Sequence, residues 1–406
     1  MIDSRRSGLS LADQPARYED LVAWWAHMRG TAPIHYDRTL GYWHVFRYDA
    51  VSAVLNDHGV FSSDMRELTP QPKEFAKVAK GAFLGFDPPQ HKRLRSLVSK
   101  AFTARMIAEL EPRISEIAHN LLDAVQGAEQ IELIDRFAYP LPLAVIVDIL
   151  EIPSVDRSRF RKWSDALFFQ GRTDQPVIVA TPEMLRSIDP TIGEMNAYFL
   201  DIIRRRRERP GTDLVSRLAT LISDGERLTD EEILGVCGFL LVAGHITTTM
   251  LLSSAVLLLA EHRDQAAELR ADPDAVPASI EEVLRYRGQL PAAPRRTTRP
   301  TTLCGVKIPA DQIVLAWLAS ANLDETAFPR ADGFDIHRSP NRHLALGRGI
   351  HYCLGAPLAR LELRVAMEAL LRRWSDFTVL DGVKLEDPRH TIGAKELPLR
   401  VRWAHR

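Results

Sequence analysis

Residues 346 to 355, "LGRGIHYCLG", place three glycines, a histidine and a cysteine within ten positions of a chain that has only three cysteines. A thiol is a soft ligand and, once ionised, a nucleophile, so its surroundings decide its chemistry. The following stretch, "APLARLELRVAMEALLRRW", has Pro357 early in a helical pattern, with Leu358, Leu361, Val365 and Leu370 along one apolar face. Cys353 therefore stands just ahead of a helix N-terminus. There, unpaired backbone N–H groups and the positive end of the helix dipole favour a thiolate over a thiol. Gly347 and Gly349 permit a bulged turn, Gly355 lets backbone approach a flat partner, and His351 is placed to reach past the sulfur.

The elements that must hold this loop are mostly helices. Periodicity predicts helix over 91–125, 135–150, 193–209, 230–270 and 356–374. The stretch 33–48 alternates about Gly41 as a hairpin does, and 296–319 reads as short strands broken by turns. No repeat or Gly/Ser linker divides the chain, and strand–helix alternation of the Rossmann kind is missing. The expected fold is mainly α with a small β region, one large domain over 1–406 with a long central helix. At 406 residues and 46% hydrophobic composition the chain can bury a large core. A formal charge of -1 gives no field to draw it to nucleic acid or to an anionic membrane. Cys237, Cys304 and Cys353 form an odd set without a CxxC pair, which argues against a disulfide framework and for a reducing, cytoplasmic setting. The run Arg204 to Arg207, shortly before Pro210, reads as a solvated last turn of a helix.

One segment calls for a membrane test. Ile233 to Ala260 runs 28 residues without Asp, Glu, Lys or Arg, long enough to span a bilayer. Gly244, His245 and Thr247 to Thr249 at its centre instead suit a helix buried in protein, opened by a capping box from Thr229 to Glu232. The N-terminal stretch also lacks the apolar run of a signal peptide or anchor.

Three further groupings bear on chemistry. In "AGHITTT" a Thr247 hydroxyl can bond back to the carbonyl of Ala243, and Gly244 admits a close neighbour, so a local distortion of the long helix is expected; small-residue packing is the plainer reading. His91 and Arg95 share a helix face at i, i+4, as would suit a carboxylate ligand or merely a charged surface. Arg285 has Glu282 and equally Glu281 within reach. A soft thiolate with no second protein ligand nearby suits one axial bond to haem iron better than tetrahedral zinc.

Taken together, these segments make the chain resemble the cytochrome P-450 superfamily of haem-thiolate monooxygenases, particularly its soluble bacterial members. "LGRGIHYCLGAPLAR" resembles the haem-ligand loop, "AGHITTT" the oxygen-binding segment, "EVLR" the ExxR pair and "DPPQHKRLR" the start of the propionate helix. The resemblance implies heme b (iron protoporphyrin IX) as cofactor and Cys353 as its axial metal ligand. It implies His91, Arg95, Arg295 and His351 around the propionates. Arg295 is preferred to Arg296 because it stands ten residues before Gly305. Thr247, with Ala243, Gly244 and Thr248, would form the dioxygen and proton-relay segment, and Glu282 with Arg285 would lock the fold without doing chemistry.

The implied activity is hydroxylation or epoxidation of a small apolar organic substrate of secondary metabolism, using O2. The implied partners are a ferredoxin and ferredoxin reductase. An acidic ferredoxin would dock against Arg93, Arg105, Arg348 and Arg360 of a monomer that binds neither nucleic acid nor membrane. Substrate choice falls to the segments least like the motifs, roughly 62–86, 166–195, 286–294 and 392–396.

Three departures stand out. Leu346 replaces a customary phenylalanine before the cysteine, which would alter shielding of the thiolate. Gly333 replaces the meander arginine, leaving Arg338 or His343 as third partner of the ExxR pair. Ile246 replaces the acid before Thr247, which keeps oxidative coupling, desaturation or peroxide-driven oxidation open as alternatives. A haem-thiolate sensor without turnover would have no need of Thr247.

Overall fold

The computed structural model describes residues 10–14, 16–66, 71–169, 181–223 and 225–404. Parts of two segments assigned to substrate choice, 67–70 and 170–180, lie outside the described residues. By internal contacts the chain forms two compact units: Met1–Ser62 with Ala118–Ala138 and Thr248–Arg406, and Ser63–Ile117 with Tyr139–Thr247.

The first unit holds every named strand among the described residues. Its five-stranded sheet runs in the order Ile34–Asp37, Tyr42–Val45, Ile313–Ala316, Ala293–Thr297, Phe61–Ser62, with only the second and third strands parallel. The expected hairpin is present, with Ile34 opposite Val45, and the short strands of 296–319 are there too. Asp37 makes the hairpin turn: its Oδ1 accepts the Thr39 and Leu40 N–H groups at 2.9 and 3.2 Å, while Oδ2 accepts the Ser10 hydroxyl at 2.7 Å. Trp24, Trp25, Phe46 and Trp317 fill the adjoining core, where the Trp317 indole N–H donates to Nδ1 of buried His44 at 2.9 Å. Three more small sheets and the helices Val276–Arg287 and Ala356–Arg373 complete the unit.

The second unit is helical. The periodicity of 91–125 is realised as three helices rather than one, Gln90–Ala101, Ala104–Glu109 and Glu111–Asp123, of which the last crosses between the units. The break is local chemistry: Thr103 accepts the Met106 N–H at 3.2 Å and so caps a new helix start. Over 135–150 a π-helical turn, Ile134–Ala138, precedes the helix Pro140–Ile149. The helix Pro182–Glu208 is longer than its pattern suggested, and its terminal arginines correct the solvated-turn expectation in part. Arg204 pairs with Asp201 on the surface. Arg207, by contrast, reaches Asp230 at 2.6 Å and donates to the carbonyls of Ala219 and Leu228, so it fastens neighbouring segments.

The long apolar segment begins with the expected capping box: Thr229 Oγ1 accepts the Glu232 N–H at 3.2 Å and Glu232 accepts the Thr229 N–H at 2.8 Å. It is two helices, Asp230–Ala243 and Ile246–Glu261, separated at Gly244 and His245. As a whole it is long and apolar enough to cross a membrane, but 67% of its most apolar window is buried within the fold. That burial is what a core helix of a folded domain shows.

Candidate functional site

In the first unit the Cys353 loop is shaped by its backbone. The Cys353 N–H donates to the Leu346 carbonyl at 2.9 Å, the Gly347 N–H to Leu344 at 2.8 Å and the Tyr352 N–H to Gly349 at 3.1 Å. Gly347 and Gly349 take φ of 73° and 70°, the left-handed region that glycine enters without cost. At Gly349 a Cβ would also come within 2.7 Å of the Leu55 carbonyl, so the loop is seated on the end of the helix Tyr48–Asn56. Cys353 is half-buried and lies two residues before Gly355, the cap of Ala356–Arg373. The other thiols stand elsewhere: Cys304 is exposed, and Cys237 is buried in Asp230–Ala243, where burial pushes its thiol up to about 12.

His351 and Arg295 are both buried in this unit. Arg295 lies on the inner face of the strand Ala293–Thr297, whereas its neighbour Arg296 turns toward exposed Asp311 at 3.4 Å. Strand alternation thus separates the two arginines that the sequence set side by side.

Beneath the loop, the ExxR question resolves in favour of Glu282. Both side chains are fully buried, and the Arg285 guanidinium donates to Glu282 at 2.7 and 2.8 Å. It also donates to the carbonyls of Asn322, Ala331 and Gly333 at 2.9, 2.8 and 2.7 Å. Arg338 is the third partner, with Nε 3.0 and 3.1 Å from the Glu282 oxygens, and it shares the Gly333 carbonyl. The residue that lacks a side chain, Gly333, serves through its backbone. Glu281 takes a separate set: burial alone would raise its carboxyl, but Arg360 and His343 hold it down at about 2. Asn322 then connects network to loop, its Oδ1 accepting the Leu344 N–H at 2.7 Å.

In the second unit, His91 is buried and Arg95 half-buried on the helix Gln90–Ala101. Both are set against one aromatic ring, Phe83, at 6.2 Å for the His91 ring and 5.9 Å for the Arg95 guanidinium. A buried histidine at this position goes against the charged-surface reading. Thr247 Oγ1 donates to the Ala243 carbonyl at 2.5 Å, the back-bond expected from the sequence. At Gly244 a Cβ would lie 2.7 Å from Ile146 Cδ1, so the helix Pro140–Ile149 packs closely there. Ile246 is buried, whereas Ala243, Gly244 and Thr247 are partly exposed.

The sequence model of the cytochrome P-450 family matches residues 34–403. The chain belongs to the cytochrome P-450 family. It is similar to erythromycin C-12 hydroxylase of Saccharopolyspora erythraea, 41% identical over 399 residues that cover 96% of this chain and 95% of the relative. Cyclomarin C epoxidase of Salinispora arenicola is 40% identical over 385 residues, 94% of this chain and 96% of the relative. The structure of the open cytochrome P-450 EryK from S. erythraea superposes with a TM-score of 0.88 at 38% identity, covering 97% of this chain and 99% of that one. This P-450 is a monooxygenase, and its family implies a haem-iron cofactor, a small organic substrate, O2 and redox partners.

The residues present fit that cofactor. Cys353 offers one soft sulfur, and no group of three or more His, Cys, Asp or Glu among the described residues forms a competing metal cage. Buried Arg295 and His351 are the donor types that carboxylates require.

Three residues of this P-450 escaped the sequence reading or were left open by it: Arg338, His245 and Glu362. Glu362 lies in Ala356–Arg373 at 1% exposure. Its spacing carried the signal: it falls four residues after Leu358 and four before Ala366, on the buried stripe. Burial pushes its carboxyl up to about 8, and the facing Thr248 hydroxyl only partly offsets this. Thr248 is buried, while the part-exposed Thr247 takes the Ala243 carbonyl.

A pH dependence follows. Unfolded, Glu362 titrates near its ordinary 4.5; folded, it keeps its proton to about 8. Folding binds a proton in that window, so stability falls as pH rises through it, by at most about 1.4 kcal/mol per pH unit. In Glu362→Gln this slope should be absent. Urea midpoints at pH 5 and pH 8 would check it, and an unchanged difference between wild type and variant would show that Glu362 is not the group responsible.

Proposed function

We propose that this P-450 is a cytoplasmic, monomeric enzyme of secondary metabolism, one catalytic domain over 1–406, that hydroxylates or epoxidises a small apolar substrate with heme b. The observation that carries the reading is the Cys353 loop: a half-buried sulfur ahead of a helix N-terminus, in a backbone frame that closes on Leu346 and Leu344. Cys353 Sγ would hold the haem iron, and His91, Arg95, Arg295 and His351 would hold the propionates. Haem bound through a thiolate supplies reductive activation of dioxygen and transfer of one oxygen atom to a C–H bond or a double bond. The substrate class draws support from relatives named for the hydroxylation of erythromycin and the epoxidation of cyclomarin C.

The chain's own part is positioning and protons. Thr247 donates its hydroxyl proton to the Ala243 carbonyl, so what it offers outward is oxygen lone pairs. It accepts from a water or a substrate hydroxyl and holds that donor in place. With buried, apolar Ile246 beside it, no carboxylate recharges this step from the next position, so the donor itself must bring the proton. Ile246 is also the observation that favours the second reading, in which the same haem serves oxidative coupling, desaturation or peroxide-driven oxidation. Electrons would come from an acidic ferredoxin and its reductase. Arg93, Arg105 and Arg360 already hold Glu232, Glu109 and Glu281, so they present less charge to that partner than the sequence suggests.

The test is Thr247→Val, which keeps shape and removes the oxygen. Substrates found by ligand-induced change in the haem spectrum should bind with near wild-type affinity, while most of the reductant consumed appears as hydrogen peroxide instead of product. Coupling as good as wild type, with substrates that carry a hydroxyl and with those that lack one, would remove Thr247 from proton handling and favour the second reading.

A further inference from the structure

One buried titratable side chain beside Thr247 has no part in this scheme. His245 occupies the second position of the two-residue break and is 0% exposed. Its Nδ1 lies 2.9 Å from the hydroxyl of Ser164, itself fully buried in the helix Arg157–Phe169. The backbone of Tyr139 also lies near the imidazole and favours its protonated form. The Tyr139 ring meets it edge-on at 4.2 Å, and the Tyr139 hydroxyl donates to Asp165, the residue after Ser164, at 2.6 Å. Burial pushes His245 down to about 3, so it stays neutral, with one donor and one acceptor, and its Nδ1 is engaged by Ser164. Held between the side chains of Ser164 and Tyr139, such a group joins elements.

We propose that His245 is a positioning residue, a strut that ties the helix Arg157–Phe169 to the Ala243–Thr247 turn. Substrate contact with that helix then changes how Thr247 is presented. This rests on the reading of Thr247 given above. The turn is soft by construction: the helical ladder is interrupted at Gly244 and His245, and the Ala243 carbonyl is taken by a side chain. Where the ladder is missing, side-chain anchors set the conformation. On one side Ile146 packs on Gly244; on the other His245 is held by the Ser164 hydroxyl and packed by the Tyr139 ring. Two adjacent positions of one helix, Ser164 and Asp165, grip this pair. A shift of that helix by about 1 Å would take hydrogen bonds of 2.9 and 2.6 Å out of range unless the turn follows. The helix leads into 166–195, a segment to which the sequence assigned substrate choice.

Ser164→Ala tests the strut from its far end, without touching the turn. In the resting, haem-loaded full chain, amide exchange at 243–247 should quicken roughly three- to tenfold while the rest of Asp230–Glu261 is unchanged. His245→Phe should do the same, and adding it to Ser164→Ala should add nothing. His245→Asn, which can set a polar atom near the Nδ1 position, should restore wild-type exchange. Peroxide yield, measured as for Thr247→Val, should rise in Ser164→Ala and His245→Phe and return to the wild-type level in His245→Asn. Unmoved exchange at 243–247 in Ser164→Ala, or effects of the two substitutions that simply add, would overturn the strut. A wild-type chain lacking the haem-thiolate spectrum would overturn the functional reading instead, so the two failures are distinguishable.

Discussion

Cys353→Ser is expected to abolish the strongly red-shifted absorption band of the reduced, carbon monoxide-treated protein, with Cys237→Ala and Cys304→Ser keeping it at full height. The band reports electron donation from a thiolate, and a serine hydroxyl is neither soft nor ionised at neutral pH. Neither remaining thiol can replace it: Cys237 is buried with its thiol pushed up to about 12, and Cys304 is on an exposed hairpin turn between Thr301–Leu303 and Val306–Ile308. The loop should survive the change, because its shape is set by main-chain hydrogen bonds to Leu346 and Leu344 and by the glycines, none of which involves sulfur. Cys353→Ser should therefore still fold and unfold at a urea midpoint near wild type. Persistence of the band in that variant would refute the ligand assignment.

That loop could be read from sequence because its conformation depends on short-range facts: glycines at left-handed positions and a helix start at fixed spacing from the cysteine. The Thr247 back-bond was readable for the same reason, since hydroxyl and carbonyl lie one turn apart. Periodicity was less informative about where helices stop. The three helices within 91–125 share one apolar rhythm, and only the Thr103 cap shows the restart. Contacts between distant segments were readable only where the family resemblance named candidates, as it did for Arg338. Glu281 and Glu282 stand at equivalent reach of Arg285 on paper. The side of the helix that became buried chose between them, and nothing local to "IEEVLRYR" says which. His245 is similar: its sequence neighbours mark a site, but its partner Ser164 lies 81 positions away.

The largest stability effect should follow from Glu282→Gln. Glu282 accepts from Arg285, Arg338, the Asn341 side chain and the Asp335 N–H; Glu282 and Arg285 are closed to water and the other three are part-buried around them. Glutamine keeps the shape and loses the charge, and its amide adds donors where two guanidiniums already crowd the site. Two buried cations would then share no counter-charge. Breaking a buried pair this way costs about 3–5 kcal/mol, against about 5–15 kcal/mol for the whole stability of a typical protein. Because Asn322 links Arg285 to the start of the cysteine loop, the damage should reach haem retention as well as folding. Glu281→Gln is the matched control: Glu281 and its partner Arg360 lie at a partly solvated edge, though His343 is buried, and the loss of this pair should cost about 1 kcal/mol. The measurements are yield of haem-loaded protein and urea midpoint for the two variants side by side. Equal tolerance of both substitutions would mean that water reaches the Glu282 network, and that Arg338 and the Gly333 carbonyl suffice to hold Arg285 without a buried carboxylate.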